Sequence, residues 1–261
     1  MPMPEEIQQK WPQNLWIIRH GQSAGNVARD AAEAAGLPLI DIATRDVDVP
    51  LSELGEQQAV ALGHWFAALP ESQRPTVILS SPYARARATA QHILDHAGID
   101  PDEVQLVADE RLREKEFGIL DRLTRHGIVQ KYPELGEQRA HVGKFYFRPP
   151  GGESWCDVIL RLRSLLDTII REHRNENVVV VGHQVIVNCF RYLLERMDEQ
   201  TILEMDRQGD VPNCSITSYE FDRTLGRKGK LAPRLVNFIV PLLEAGAPVT
   251  SEPDVPAAPK S

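Results

Sequence analysis

The sequence is poor in cysteine, in long apolar runs and in net positive charge, and each shortage excludes a class of protein. Its three cysteines, Cys156, Cys189 and Cys214, are isolated and include no Cys-x-x-Cys pair. This spacing argues against a disulfide framework and against a structural zinc site, and it favours a cytoplasmic location. The longest purely apolar runs, such as 178–181, are far too short to span a bilayer, so no membrane partner is expected.

Positive charge is in the minority, with 29 Lys and Arg residues against 37 Asp and Glu residues. The resulting net charge of −8 argues against nucleic acid as the main partner, although it does not forbid a local basic pocket. At the N-terminus, prolines and glutamates stand where an export signal needs an apolar core. The hydrophobic content of 42% and charged content of 25% are ordinary for a globular protein.

Composition divides the 261 residues into one domain and two tails. Residues 1–13 and 245–261 are rich in proline and polar groups and cannot bury enough apolar surface to offset their ordering entropy, so both are predicted to be disordered. Residues 14–244 contain no repeat or linker and are predicted to form a single domain. Within it, the polar and aromatic stretch 113–150 is predicted to be a lid that sets specificity, with at most a short helix at 122–131.

The rest of the domain alternates strands with helices. The predicted strands are 15–20, 76–81, 103–112, 178–183, 215–221 and 234–240. The predicted helices are 52–69, 83–98, one that begins after the cap Ser154 with Asp157 as its capping-box partner, and 185–197. Such alternation predicts an α/β fold, namely a three-layer α/β/α sandwich with a mostly parallel central sheet. The ligand crevice of such a sheet lies beyond the carboxyl ends of its strands.

Reactive side chains follow four of these predicted strands. They are Arg19 with His20, the arginine-containing segment 80–87, Glu114 and His183. Arginine can fork onto phosphate oxygens, neutral histidine can act as a nucleophile, and a carboxylic acid can protonate a leaving oxygen. The sequence shows no metal-ligand cluster, so neither metal nor cofactor is expected, and the cationic side chains would neutralise charge themselves.

The same segments carry a family resemblance. They are RHGQSAGN (19–26), LSELGEQQA (51–59), SSPYARARATA (80–90), LREKEFG (112–118), PGGES (150–154), VVVVGH (178–183) and NCSIT (213–217). In this order they resemble the histidine phosphatase superfamily, which is also called the phosphoglycerate mutase-like fold. The opening Arg-His-Gly alone would be a weak signal, whereas seven ordered segments across 15–221 are a strong one.

The resemblance implies a role for each catalytic residue. His20 would be the nucleophile that accepts the phosphoryl group, and Arg19 and Arg85 would hold the equatorial oxygens. His183 would be the second pocket histidine, and Glu114 would act first as general acid and then as general base.

The resemblance also implies a set of phosphate-binding residues. They are Arg19, Gly21, Asn26, Arg85, His183 and Gln184. Arg85 matches the Ser-Pro-x-x-Arg-Ala pattern, whereas Arg87 and Arg161 are predicted to be solvated helix arginines. Ser23 is predicted to cap the next helix rather than to bind substrate.

Three functions remain open at this stage. A phosphomonoester hydrolase is the first, because His183 and Gln184 are similar to the bisphosphatase branch and 145–155 is similar to phosphatase-like members. An intramolecular phosphoglycerate mutase is the alternative, and a non-catalytic module that binds phosphate is a third. The expected partner is a small phosphorylated substrate, and a homodimer is left open.

The substrate pocket departs from the pattern of many phosphatases in this superfamily. These read Phe-Gly-x-Trp-Glu-Gly after the acid, whereas this chain has Phe-Gly-Ile-Leu-Asp at 117–121. A group of basic residues could recognise a second anion or simply be solvated, and the sequence does not decide between these. They are Arg122, Arg125, Lys131, Lys144 and Arg148.

Overall fold

The computed structural model describes residues 9–251. Within this range, six strands form one sheet in the order β3-β2-β4-β1-β5-β6. The strands are β1 Asn14–Arg19, β2 Val77–Ser80, β3 Gln105–Ala108, β4 Asn177–Gly182, β5 Ile216–Asp222 and β6 Lys230–Phe238. The first four are parallel, whereas β5 runs antiparallel to both β1 and β6. The predicted α/β sandwich with a mostly parallel sheet is confirmed.

Alternation along the central strands explains why helices cover both faces of the sheet. Leu15 and Ile17 of β1 pack into one apolar core with helix 155–172, whereas Trp16 and Ile18 pack into another with helices 53–67 and 84–96. In β4 every residue is buried, because the four consecutive valines supply both cores. The ends of these central strands are therefore held rigidly.

Helices occupy the connections between the strands. They are α1 Ala24–Ala34, α2 Glu53–Ala67, α3 Ala84–His96, α4 Arg125–Lys131, α5 Pro133–Val142, α6 Trp155–Glu172, α7 Gln184–Glu195, α8 Glu199–Gln208 and α9 Val240–Glu244. The predicted caps are confirmed, since Ser23 begins α1 and Ser154 begins α6, each in a reciprocal capping box. No helix within residues 9–251 has both the length and the apolar character needed to cross a membrane.

Several local predictions differ from the structure. Strand β3 covers only Gln105–Ala108 of the predicted 103–112, because 3-10 turns at Pro101–Glu103 and Glu110–Leu112 flank it. The segment 113–150 holds two helices, α4 and α5, because Pro133 at the first position of α5 starts a second helix after a break at Tyr132. Helix α8 was not predicted. Strand β6 lies earlier than the predicted 234–240, since the chain turns at Ile239 into α9, whose first turn contains a proline.

Parts of both predicted tails belong to the ordered structure. Trp11 packs against the first apolar core, and Gln13 pairs through its backbone with Glu176. Ala247 is buried in the second core, and Thr250 exchanges backbone and side-chain hydrogen bonds with Asn213. The predicted disorder of 1–13 and 245–261 is therefore wrong for 9–13 and 245–251, because these segments do bury apolar and hydrogen-bonding groups. Residues 1–8 and 252–261 lie outside the described residues.

Candidate active site

A cavity of about 120 Å³ opens at the carboxyl edge of the sheet, where the strand-end residues meet. Most of the predicted site residues line it directly. The lining residues are Arg19, His20, Ser23, Gly25, Asn26, Arg29, Ile40, Ile42, Asp46, Val49, Arg85, Glu114, Phe117, Asp121, Arg122 and Gln184. The cavity thus combines a cationic floor with an apolar and acidic wall.

His20 follows β1 and is almost fully buried. Its Nδ1 lies 2.7 Å from the carbonyl oxygen of Gly21, and its Nε2 lies 3.2 Å from Nε of Arg85. A carbonyl can only accept and a guanidinium can only donate, so Nδ1 carries the hydrogen and Nε2 holds the lone pair. Burial, together with Arg85 and Arg19, holds the pKa of His20 well below its ordinary value of 6.5. The ring is therefore a neutral imidazole with Nε2 as its nucleophilic atom.

Arg85 stands in the first turn of α3, directly after β2, and all three of its nitrogens are engaged. While Nε donates to His20, Nη1 donates to the backbone and carboxylate oxygens of Asp46 at 2.7 and 2.9 Å. Nη2 lies 3.4 Å from the other oxygen of the same carboxylate. An anion therefore already sits on the guanidinium, and a phosphoryl group would have to displace it. Arg87 is exposed, as predicted from its register.

Arg19, the last residue of β1, is buried and lines the cavity. Its Nη1 donates to the carbonyl oxygen of Val211, which fixes the guanidinium beside His20. Arg19 and Arg85 thus place two permanent positive charges beside His20. Both charges favour the neutral form of His20 and would attract a phosphate dianion.

His183 follows β4 and is completely buried, so it lies behind the cavity and not on its wall. Its ring meets that of His20 edge to face at a centroid distance of 5.0 Å. Nε2 lies 2.8 Å from Oγ of Ser81, and Nδ1 lies 3.6 Å from Oε2 of Glu114. Burial, followed by the charges of Arg85 and other cations, lowers the pKa of His183 well below 6.5. His183 is therefore also a neutral ring.

Glu114 brings a carboxyl group to the cavity from the loop after the short 3-10 turn Glu110–Leu112. The backbone N–H of Lys115 donates to its Oε1 at 2.7 Å. Arg161 of α6 holds this loop, because its guanidinium donates to the carbonyl oxygens of Arg111 and Glu114 and pairs with Glu153. Arg161 was predicted to be solvated. That prediction is wrong, because the side chain lies across the loop instead of pointing into water.

Asn26 and Gln184 both reach the cavity, as predicted. Oδ1 of Asn26 accepts from the backbone N–H and the hydroxyl of Ser23, so the amide oxygen completes the α1 cap. Nε2 of Gln184 donates to Asp210 at 2.8 Å. These contacts fix the two amide groups in place at the edge of the cavity.

Gly21 does not line the cavity. A Cβ atom at this position would come within 2.4 Å of the carbonyl oxygen of Gly55, so glycine is required where the loop after β1 crosses α2. Its N–H donates to Thr89 on α3. The structure thus gives Gly21 a packing role, and its predicted phosphate contact remains a prediction.

A roof over the cavity is formed by the segments 37–50 and 117–131. Arg122 ties the two together by donating to the carbonyl oxygens of Ile42 and Thr44 at 3.0 and 2.8 Å, and Leu39 bridges to Leu123. A small apolar cluster under the second segment holds it in place, namely Leu120, Leu123, Ile128, Leu135 and Phe147. The predicted lid 113–150 therefore covers the site only together with 37–50, which the sequence did not indicate.

The five basic residues that could bind a second anion lie in different places relative to the cavity. Lys144 pairs with Asp206 and Arg148 pairs with Asp157, both away from the cavity. Arg125 and Lys131 also lie off its wall, and only Arg122 lines it. Arg29, one helical turn beyond Asn26 on α1, lines the cavity although the sequence gave no reason to select it. It could have been found from its spacing, because residues three apart on a helix share a face and Asn26 was already a candidate.

Residues that are distant in sequence fix the backbone of His20. Nδ2 of Asn213 donates to the carbonyl oxygen of His20 at 3.0 Å, and the N–H of Cys214 donates to that of Arg19. Thr250 in turn donates from its hydroxyl to Oδ1 of Asn213. Between residues 9 and 251, no group of three or more His, Cys, Asp or Glu side chains is arranged to hold a metal ion.

The cavity thus places a buried histidine beside two arginines at the carboxyl edge of the parallel strands. The model of the histidine phosphatase superfamily (branch 1) matches residues 15–229. The chain therefore belongs to the histidine phosphatase superfamily.

Individual relatives within the superfamily have different activities. A 6-phosphofructo-2-kinase/fructose-2,6-bisphosphatase of Caenorhabditis elegans is 32% identical over 224 residues, which cover 82% of this chain but only 43% of that protein. A 2,3-bisphosphoglycerate-dependent phosphoglycerate mutase of Chelativorans is 28% identical and matches over 76% of this chain and 89% of its own length. The solved structure of a mycobacterial glucosyl-3-phosphoglycerate phosphatase with vanadate superposes with a TM-score of 0.65 at 25% identity, covering 87% of this chain and all of that one.

Proposed function

We propose that the protein is a metal-independent phosphomonoester hydrolase that acts on a small phosphorylated metabolite through a phosphohistidine at His20. The observation that carries this proposal is the state of the His20 ring. Its Nδ1–H donates to the carbonyl oxygen of Gly21, and its Nε2 lone pair lies beside Arg85 at the cavity. A neutral imidazole held this way is ready to attack phosphorus without first losing a proton.

The first half-reaction transfers the phosphoryl group to the enzyme. Nε2 of His20 forms a bond to phosphorus while the bond from phosphorus to the alcohol oxygen breaks. Glu114 in its protonated form gives its proton to that oxygen, so the alcohol leaves neutral. Arg19 and Arg85 stabilise the charge on the equatorial oxygens, and the Asp46 carboxylate must leave Arg85 for this to happen.

The second half-reaction restores the enzyme. Water attacks the phosphohistidine, and the carboxylate of Glu114 takes one of its protons. The bond from phosphorus to Nε2 breaks, which releases inorganic phosphate and returns His20 to its neutral state. The same carboxyl group thus serves as acid and then as base, which its position at the cavity wall permits.

A phosphoglycerate mutase is the second candidate, because a mutase is among the relatives that match most of the chain. The two activities share the phosphohistidine and differ in whether water or a second hydroxyl group receives the phosphate. A non-catalytic module has less support, since both histidines, both arginines and the glutamate come together at one site. A cytoplasmic location and a homodimer remain part of the proposal.

The proposal is tested by trapping the intermediate. A brief incubation with a ³²P-labelled phosphomonoester should leave acid-labile, alkali-stable phosphate on the wild-type protein and none on His20→Ala. His126→Ala, which removes an exposed histidine of α4, is the matched control and should label normally. Wild-type turnover by His20→Ala would disprove the mechanism. Parallel assays with p-nitrophenyl phosphate and 3-phosphoglycerate separate the candidates, because only a mutase forms 2-phosphoglycerate and only a phosphatase releases inorganic phosphate.

A further inference from the structure

Ser81 is a buried polar residue at the active-site edge that the mechanism above does not use. It follows β2, and its N–H donates to the carbonyl oxygen of Val181 in β4, the strand that leads to His183. The side chain is inaccessible to solvent, and its Oγ lies 2.8 Å from Nε2 of His183. Ser81 therefore contacts the second histidine on the side opposite to Glu114.

The hydrogen bonds of this hydroxyl group can be assigned individually. The N–H of Tyr83 points at Oγ over 3.3 Å and can only donate, so it uses one lone pair of the oxygen. The hydroxyl hydrogen is left with Nε2 of His183 as its partner. If Nε2 carried a hydrogen instead, the hydroxyl hydrogen would have no recorded acceptor in a site that water cannot reach.

We propose that Ser81 is a positioning residue that fixes the tautomer of His183, with the hydrogen on Nδ1. The hydroxyl group donates to Nε2 and thereby confines the lone pair of the neutral ring to that side. Nδ1–H then faces Oε2 of Glu114, a residue that lines the cavity. Within the described part of the chain Nδ1 has no hydrogen-bond partner, because the Glu114 oxygen at 3.6 Å is too distant.

This assignment rests on the proposed function and adds to it the side of the His183 ring that donates a hydrogen bond. A neutral imidazole can donate from only one nitrogen, so its tautomer decides whether the side of the ring that faces Glu114 and the cavity presents a hydrogen or a lone pair. A fixed N–H stabilises negative charge that develops on phosphoryl oxygens, whereas a lone pair repels it. Without the Ser81 hydroxyl group the two tautomers would exchange, and part of the protein would present the unfavourable one.

The tautomer can be read directly by ¹⁵N NMR of the full-length protein labelled in its histidine rings. The His183 signals are identified by their loss in His183→Asn. In the wild type we expect a hydrogen-bearing Nδ1 and a bare Nε2, and in Ser81→Ala we expect averaging or inversion. A wild-type His183 with its hydrogen on Nε2, or an unchanged tautomer in Ser81→Ala, would overturn the assignment. The wild-type spectrum decides the first point even where Ser81→Ala does not fold.

Kinetics provide the second readout. Ser81→Ala should lower kcat about 10- to 100-fold with little change in KM, since the donor acts on charge that appears in the transition state. Ser81→Thr keeps the hydroxyl group and should recover most of the rate. The matched control is Ser80→Ala, because the buried Ser80 hydroxyl group donates to the carbonyl oxygen of Ser81 and does not contact His183. Equal losses in both alanine variants would overturn the role of Ser81. A wild type that hydrolyses no phosphomonoester would refute the proposed function, while the NMR result would still decide the tautomer.

Discussion

The sheet edge and the roof of this protein form one cavity by different means. At the edge, Arg19 ends β1, and His20 and His183 directly follow buried strands; each side chain makes a hydrogen bond to a buried neighbour. The roof consists of two loop-rich segments joined by Arg122. An ion pair between Asp46 and Arg85 joins the roof to the edge. In the proposed function, the edge would carry the chemistry and the roof would select the substrate.

Removal of the Arg85 side-chain charge should produce the largest effect and would define the contribution of the edge. Arg85→Gln loses both the clamp and the donor to His20 Nε2, so kcat/KM should fall on the order of 10²- to 10³-fold. Arg87→Gln, on an exposed face of the same helix, should stay within about twofold by the same reasoning. Steady-state hydrolysis of p-nitrophenyl phosphate measures both. A similar loss in the two variants would mean that α3 stability, and not the clamp, is affected.

Glu114 should matter most when the departing alcohol is a poor leaving group. Glu114→Gln cannot donate or accept the proton, so hydrolysis of an alkyl phosphate should fall about 100-fold, within the range that acid–base catalysis supplies. Hydrolysis of p-nitrophenyl phosphate should fall much less, because p-nitrophenolate needs little protonation. Glu116→Gln is the matched control on the same loop. An equal loss with both substrates would remove Glu114 from the role of acid.

Removal of the Asp46 charge should strengthen anion binding instead of weakening it, which tests the contact between edge and roof. Asp46→Asn takes a competing negative charge off Arg85, so orthovanadate should bind about three- to tenfold more tightly, consistent with an ion pair worth about 1 kcal/mol. Asp48→Asn, whose carboxylate pairs with exposed Arg45, is the control and should bind as the wild type does. Titration calorimetry measures the affinities. Weaker binding by Asp46→Asn would show that Asp46 preorganises Arg85 instead of competing for it.

The smallest expected effect is the pH dependence of stability that the buried histidines create. Burial and neighbouring arginines lower the pKa of both His20 and His183, so the unfolded chain binds protons near pH 6.5 that the folded protein does not. Their contribution to stability is therefore complete above pH 6.5 and is lost as the pH falls below it. Urea unfolding between pH 7.5 and 5.5 should show this decline, and His20→Asn combined with His183→Asn should flatten it. If the double variant showed the same pH dependence of unfolding, groups other than His20 and His183 would cause the loss of stability.

Sequence reasoning was sufficient for the edge and insufficient for the roof. His20 and His183 were identifiable because buried strands have a strong apolar signature and parallel strands bring their carboxyl ends together, whereas Arg85 was selected within 80–87 by the family resemblance. The contact between Asp46 and Arg85 has no such signature, since 37–50 has no periodicity that would fix its position. The pairing of this segment with Arg122 depends on contacts between loops that are distant in sequence.

The helices that were missed share a second physical cause. α5 and α8 are short surface helices, and each has few buried residues from which a helical pattern could be recognised. They are recognisable instead by their starts, Pro133 for one and the cap Asp198 for the other. The packing of 245–251 was missed because composition describes the average segment and not the single buried residue, such as Ala247.

The contact of Thr250 with Asn213, and of Asn213 with the His20 carbonyl oxygen, has a consequence for the order of biosynthesis. Along the chain His20 is made long before Thr250, whose hydroxyl group holds Asn213. Because these partners are separated by most of the chain, they can meet only after the sheet between them has formed. A nascent chain that has not yet released residue 250 from the ribosome therefore carries His20 without the full support of its backbone.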